Sequence, residues 1–169
     1  TLPGGGISGQ FAIGLVPDVA DPNIYRLRAA VMVGPNRVEA IAANTFTLGA
    51  WQQVAFSADG AQLRLYVNGV EVASADYAGN VATPSVQFLS MGAVLTVDYT
   101  DTNNIIIAPD LTNPNYLNGP LDDVAIWNRS LTSEEVSKVY AQGLLGKPVT
   151  SVVQTPPAGD PVISSPTIT

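Results

Sequence analysis

Residues 51–74 read WQQVAFSADGAQLRLYVNGVEVAS, and their alternation decides the fold. A two-residue turn at Asn68-Gly69, the commonest pair for a tight hairpin of type I′, sets Val67 opposite Val70, Tyr66 opposite Glu71 and Leu65 opposite Val72. A second turn at Asp59-Gly60 sets Phe56 opposite Leu63 and Val54 opposite Leu65. The two registers agree on the faces. Val54, Phe56, Leu63, Leu65, Val67, Val70 and Val72 point to one side, and Gln53, Ala55, Arg64, Tyr66 and Glu71 to the other. A ribbon with one apolar face requires a second layer.

The rest of the chain offers that layer. GQFAIGLV, IYRLRAAVMV, RVEAIAA, SVQFLSMGAVLTV and GPLDDVAIWN are short, rich in Val, Ile and aromatic residues, and separated by Pro, Gly, Asn and Asp. Amphipathic helices between them are missing, so the pattern predicts an all-β, two-sheet antiparallel sandwich. One helix is expected, in SLTSEEVSKVYAQG. Thr132 and Glu135 form a capping box, Leu131 and Val136 a hydrophobic staple, and Gly143 is the expected stop. Leu131, Val136, Val139 and Tyr140 give it one apolar stripe.

Composition removes most chemistry. The 169 residues contain no cysteine and no histidine, which excludes disulfides, thiolate and Ser-His nucleophiles and the usual zinc ligands. Seven Lys and Arg against fourteen Asp and Glu give a net charge of −7, without a basic cluster for nucleic acid. No apolar stretch reaches the roughly 18 to 20 residues of a membrane span. The proline content rises after Gly146, and the sequence divides into a domain at 1–146 and a Pro/Ser/Thr-rich linker or extended tail at 147–169.

W-x-x-V-A-F-x-x-D-G, then L-R-L-Y-V-N-G, then G-P-L-D-D-V-A-I-W-N-R-S-L-T-S-E-E-V together resemble the laminin G-like, concanavalin A-like jelly-roll superfamily, in particular its bacterial and extracellular modules. The resemblance covers residues 51–143 closely and reaches more loosely back to residue 10. It implies a jelly-roll sandwich with one short C-terminal helix. It also implies early strands that this sequence lacks before Phe11: either the chain is cut short there, or Gly4 to Val16 fills their place, or another chain supplies them by pairing with an open sheet edge.

The resemblance points to extracellular or cell-surface binding and adhesion, with a glycan or a cell-surface protein as partner. Carbohydrate recognition needs aromatic platforms beside hydrogen-bonding groups. Tyr66 with Arg64, Gln53 and Glu71 on the polar face of the ribbon, and Tyr99, Asn104 and Tyr116 around the loop from Val97 to Asn118, are the candidates; Tyr66 equally suits a packed position in the family motif. Trp51 and Trp127 are expected in the core. Calcium is the expected structural ion, because only oxygen ligands are present. The family often places a carboxylate at the position of Asp122, beside Asp123, and the long loop offers Asp98 and Asp101. Asp122 equally suits a local hydrogen bond to neighbouring backbone N–H groups. An enzyme is not expected: the family's glucanase branch carries E-x-D-x-x-E on one strand, and Glu39, Glu71, Glu134 and Glu135 form no such motif. The alternative to glycan binding is a structural module that assembles through its open edge.

Overall fold

A computed structural model describes residues 10–82, 89–98, 106–111 and 116–149. Strands β1 (Phe11–Pro17), β2 (Tyr25–Val33) and β3 (Asn36–Thr45) form one antiparallel sheet in that order. Strands β4 (Val54–Ala58), β5 (Gln62–Val67) and β6 (Val70–Asp76) form a second. A separate hairpin pairs β7 (Leu95–Asp98) with β8 (Ile106–Pro109), and helix α1 (Ser133–Leu144) follows. The loop from Val97 to Asn118 is therefore not structureless throughout: β8 lies within it.

The two three-stranded sheets make the sandwich. Leu27, Ala29 and Val31 alternate along β2, Ala40 and Ala42 along β3, and all meet Leu63 and Leu65 of β5 in one buried cluster. These seven side chains are almost wholly removed from water, whereas their neighbours on β1 and β4 are only partly covered. Phe11 and Phe56 bridge the sheets on that side, with ring centroids 5.7 Å apart.

The second sheet is covered on both faces. Its far side carries Tyr66, which packs with Leu131, Val136 and Val139 of the helix region, and with Ala55, Trp127 and Val149 around them. Thr132 caps α1 as expected. Its hydroxyl accepts from the Glu135 N–H, and the Glu135 carboxylate accepts from the Thr132 N–H. The helix passes through Gly143, ends at Leu144 and is capped by Leu145. Gly146 adopts φ +66, and the N–H groups of Gly146 and Lys147 return to the carbonyls of Gly143 and Gln142, a complete Schellman motif.

Four more expectations need correction. The β4–β5 turn is centred on Gly60-Ala61, not Asp59-Gly60, so Val54 faces Val67 and Phe56 faces Leu65. Asp59 is the cause: its Oδ1 accepts the N–H groups of Ala61 and Gln62, leaving Gly60 at φ +93, where glycine is favoured. Moving the turn by one residue changes every partner by two, so the faces survive. A bulge between Leu65 and Tyr66 then sets Leu65 opposite Ala73 rather than Val72. Finally, residues 121–127 form no strand and Trp51 is 69% exposed instead of buried, whereas Trp127 packs, partly covered, against the Tyr66 cluster.

Candidate functional site

The residues singled out by sequence do not converge. Tyr66 is fully buried, with its hydroxyl 3.2 Å from Ser133 Oγ, because α1 lies over the face that the isolated ribbon would leave open to solvent. It is a core residue and no ligand platform. Arg64 stays near the surface but is engaged: Nη1 donates to Asp59 Oδ2 at 2.6 Å, and Nε lies 3.9 Å from Glu71 Oε2. That guanidinium, with the backbone N–H groups of Ala61 and Gln62, lowers the Asp59 pKa to about 2.

Tyr116 is 63% exposed, and its neighbour Leu117 bonds through its N–H to the carbonyl of Gly92. Asp122 and Asp123 are both exposed. Asp122 Oδ1 accepts the Asp123 N–H at 2.9 Å, and Asp123 takes the left-handed conformation at φ +51. The backbone of Asp98 closes β7 opposite Ile106, but its side chain, and all of Tyr99, Asp101 and Asn104, lie outside the described residues. Among the described residues no three acidic side chains gather where a metal ion would sit. Two adjacent carboxylates alone fall short of the six to eight oxygens that calcium takes.

Sequence reasoning missed the concave feature beside the ribbon. An open depression of about 270 Å³ lies at the β4–β5 turn, lined by Ala58, Asp59, Gly60, Tyr77, Asn80, Val81 and Ser130. The hairpin brings it together: β6 ends at Asp76, and the chain turns back so that the Tyr77 N–H donates to the Ala61 carbonyl and the Gly79 N–H to that of Gly60. The Tyr77 hydroxyl accepts the Gly60 N–H at 2.8 Å, fixing the ring on the wall. Asp59 is spent on the turn and Arg64. The Asn80 amide and the Ser130 hydroxyl have no partner among the described residues. Chemically this sets an aromatic side chain held by its hydroxyl beside two residues with polar side chains, Asn80 and Ser130. The signal was present in YAGN, an aromatic followed by two turn residues directly after the hairpin.

A family model described as "Concanavalin A-like lectin/glucanases superfamily" matches residues 5–137, most of the chain. The chain belongs to that superfamily. The superfamily holds binding proteins and hydrolases under one description, so membership places the fold and leaves both activities open. A crystal structure of an S-layer domain-containing protein from Clostridium thermocellum is similar at 19% sequence identity, with a TM-score of 0.43. The match covers 76% of this chain and 63% of that one, so this chain spans less than two thirds of that structure. No curated protein matches the chain. Among the described residues no helix is long and apolar enough to cross a membrane.

Proposed function

We propose that this chain is a non-catalytic binding module of a secreted or surface protein, and that its ligand is a glycan seated against Tyr77. The observation that supports it most is the depression, where a fixed aromatic ring stands beside Asn80 and Ser130, whose side chains have no partner among the described residues. Sugars offer an apolar C–H face and a rim of hydroxyls, and this pairing of groups meets both. Glycoside hydrolysis needs two carboxylates, one of them kept protonated as an acid. Asp59 is the one carboxylate among the lining residues, and its surroundings push it the opposite way. The test is titration of neutral oligosaccharides followed by calorimetry and by hydrolysis. Binding that Asn80→Ala weakens, without turnover, supports the proposal, whereas absence of binding across a glycan array overturns it.

A second reading, assembly with another chain, has its own observation. Phe11, Ile13 and Val54 point between the sheets, yet each remains more than a third exposed, and β1 and β4 have one strand partner each among the described residues. Light scattering discriminates: oligomers that Ile13→Lys disperses support assembly, and strict monomers at high concentration exclude it. A structural calcium at Asp122 would have to take most of its oxygens from backbone carbonyls and water, since two carboxylates do not suffice.

A further inference from the structure

The outer face of the first sheet holds an unbalanced charge. Arg28, Arg37 and Glu39 fall on the side opposite Leu27, Ala29 and Val31, away from the core. Arg28 Nη1 lies 3.3 Å from Glu39 Oε1, and Arg37 Nη2 contacts the same oxygen. Two guanidinium groups thus share one carboxylate, although the chain as a whole is acidic. The three side chains are 13, 24 and 24% exposed, so water neutralises the surplus poorly. Among the described residues Arg37 Nε is buried without an acceptor, and the contact between Nη2 and Glu39 lacks hydrogen-bond geometry. Burial and then the Arg37 charge push Arg28 below the usual arginine range, and Glu39 only partly restores it.

Beside these groups the sheet is low. Gly14 pairs with Arg28; Ala12 pairs with Ala30, which faces Glu39 and is itself covered, at 1% exposed, so the open step is at Gly14. A Cβ placed on Gly14 would meet nothing within 4 Å, so the space next to Arg28 is open. A guanidinium with free donors, a surplus positive charge and an unfilled step beside it suit a planar or tetrahedral oxyanion brought from outside.

We propose that Arg28 and Arg37 form a subsite for an anionic sugar, carboxylated or sulfated, on the outer face of the β1–β2–β3 sheet. The sugar as carrier rests on the glycan reading above; the anion subsite rests on the arginines. Calorimetry on the full chain compares oligogalacturonate, a sulfated galactan oligosaccharide, cello-oligosaccharide and polyglutamate. Which acidic sugar binds separates carboxylate from sulfate as the recognised group. The expected result is binding of an acidic sugar that weakens with salt, falls at least about tenfold in Arg37→Gln, tightens in Glu39→Gln and is unchanged in Lys138→Gln. Melting temperatures within a few degrees of the parent show that the variants remain folded. Acidic sugars that bind no better than cello-oligosaccharide, or an unchanged Kd in Arg37→Gln, overturn the subsite. If cello-oligosaccharide alone binds, the Tyr77 reading stands and this one fails. If an acidic sugar binds through Arg37 and Asn80→Ala has no effect, this one stands and the Tyr77 seat fails. Binding of polyglutamate alone overturns the sugar assignment.

Discussion

The hydroxyls of Tyr66 and Ser133 lie 3.2 Å apart, joining the middle strand of the second sheet to the first turn of α1 across 67 residues of sequence. The pair converts the far face of the ribbon from surface into a second small core. Tyr66→Phe keeps the ring and loses that bond, and costs about 1 kcal/mol. Tyr66→Ala empties the cluster beneath the helix and costs roughly 3 to 5 kcal/mol. Chemical denaturation reads both. Equal, small losses for the two would show that the ring is not packed.

Acid should loosen the same region. Glu135 is held at about 2 instead of 4.5, chiefly by Arg129, whose Nη2 lies 2.6 Å from its carboxylate, and in addition by the Thr132 N–H. A carboxylate lowered on folding contributes stability above its unfolded pKa and loses it as pH falls to the folded value. Asp59 behaves alike, from 3.8 to about 2. The melting temperature is expected to drop between about pH 4.5 and 2, and Glu135→Gln should flatten that drop while lowering stability at pH 7. An unchanged acid limb in Glu135→Gln would refute the assignment.

Gly69 meets two requirements at once. Its φ of +76 closes the β5–β6 turn, and a Cβ there would come within 3.1 Å of Ser137 Cα and Tyr140 Cβ. Gly69→Ala therefore strains the backbone by about 1 to 2 kcal/mol and also pushes the helix off the hairpin. Amide hydrogen exchange should quicken in α1 as well as in the turn. Faster exchange confined to the turn would mean that helix contact does not matter.

Ser57 sits 5% exposed with its Oγ unpartnered. Removing a buried hydroxyl that makes no bond relieves its desolvation cost, so Ser57→Ala should be neutral or stabilising by about 1 kcal/mol. A loss of more than that in urea unfolding would point to a partner for this hydroxyl.

Calcium at Asp122 predicts a calorimetric heat and a rise in melting temperature that chelator reverses and Asp122→Asn abolishes. No heat and no shift would leave Asp122 with its bond to the Asp123 N–H alone.

Period-two alternation made β2, β3 and the ribbon readable from sequence, because a face once buried fixes every second residue. The helix start was equally legible, since capping is local chemistry between Thr132 and Glu135. The turn at Gly60 escaped because the choice between two adjacent dipeptides was made by the Asp59 side chain, not by backbone preference. Tyr66 could be read as packed or as a ligand platform, and the packed reading holds for a tertiary reason: its face is covered by a helix that arrives much later in the chain. Arg28, Arg37 and Glu39 share the outer parity of their strands, a pattern visible in RLRAAVMVGPNRVEA, but the crowding of two cations on one carboxylate needs the register of β2 on β3.

The distance in sequence between Tyr66 and its lid bears on how the protein is made. Hairpins close locally within microseconds, whereas α1 must return over a long loop. During synthesis the β4–β5–β6 ribbon can form while residues 131–139 are still within the ribosome, leaving Tyr66 uncovered for seconds at ordinary elongation rates. That interval is the time for which the apolar surface around Tyr66 stays open on the nascent chain, and it ends when Leu131 to Val139 arrive to cover it.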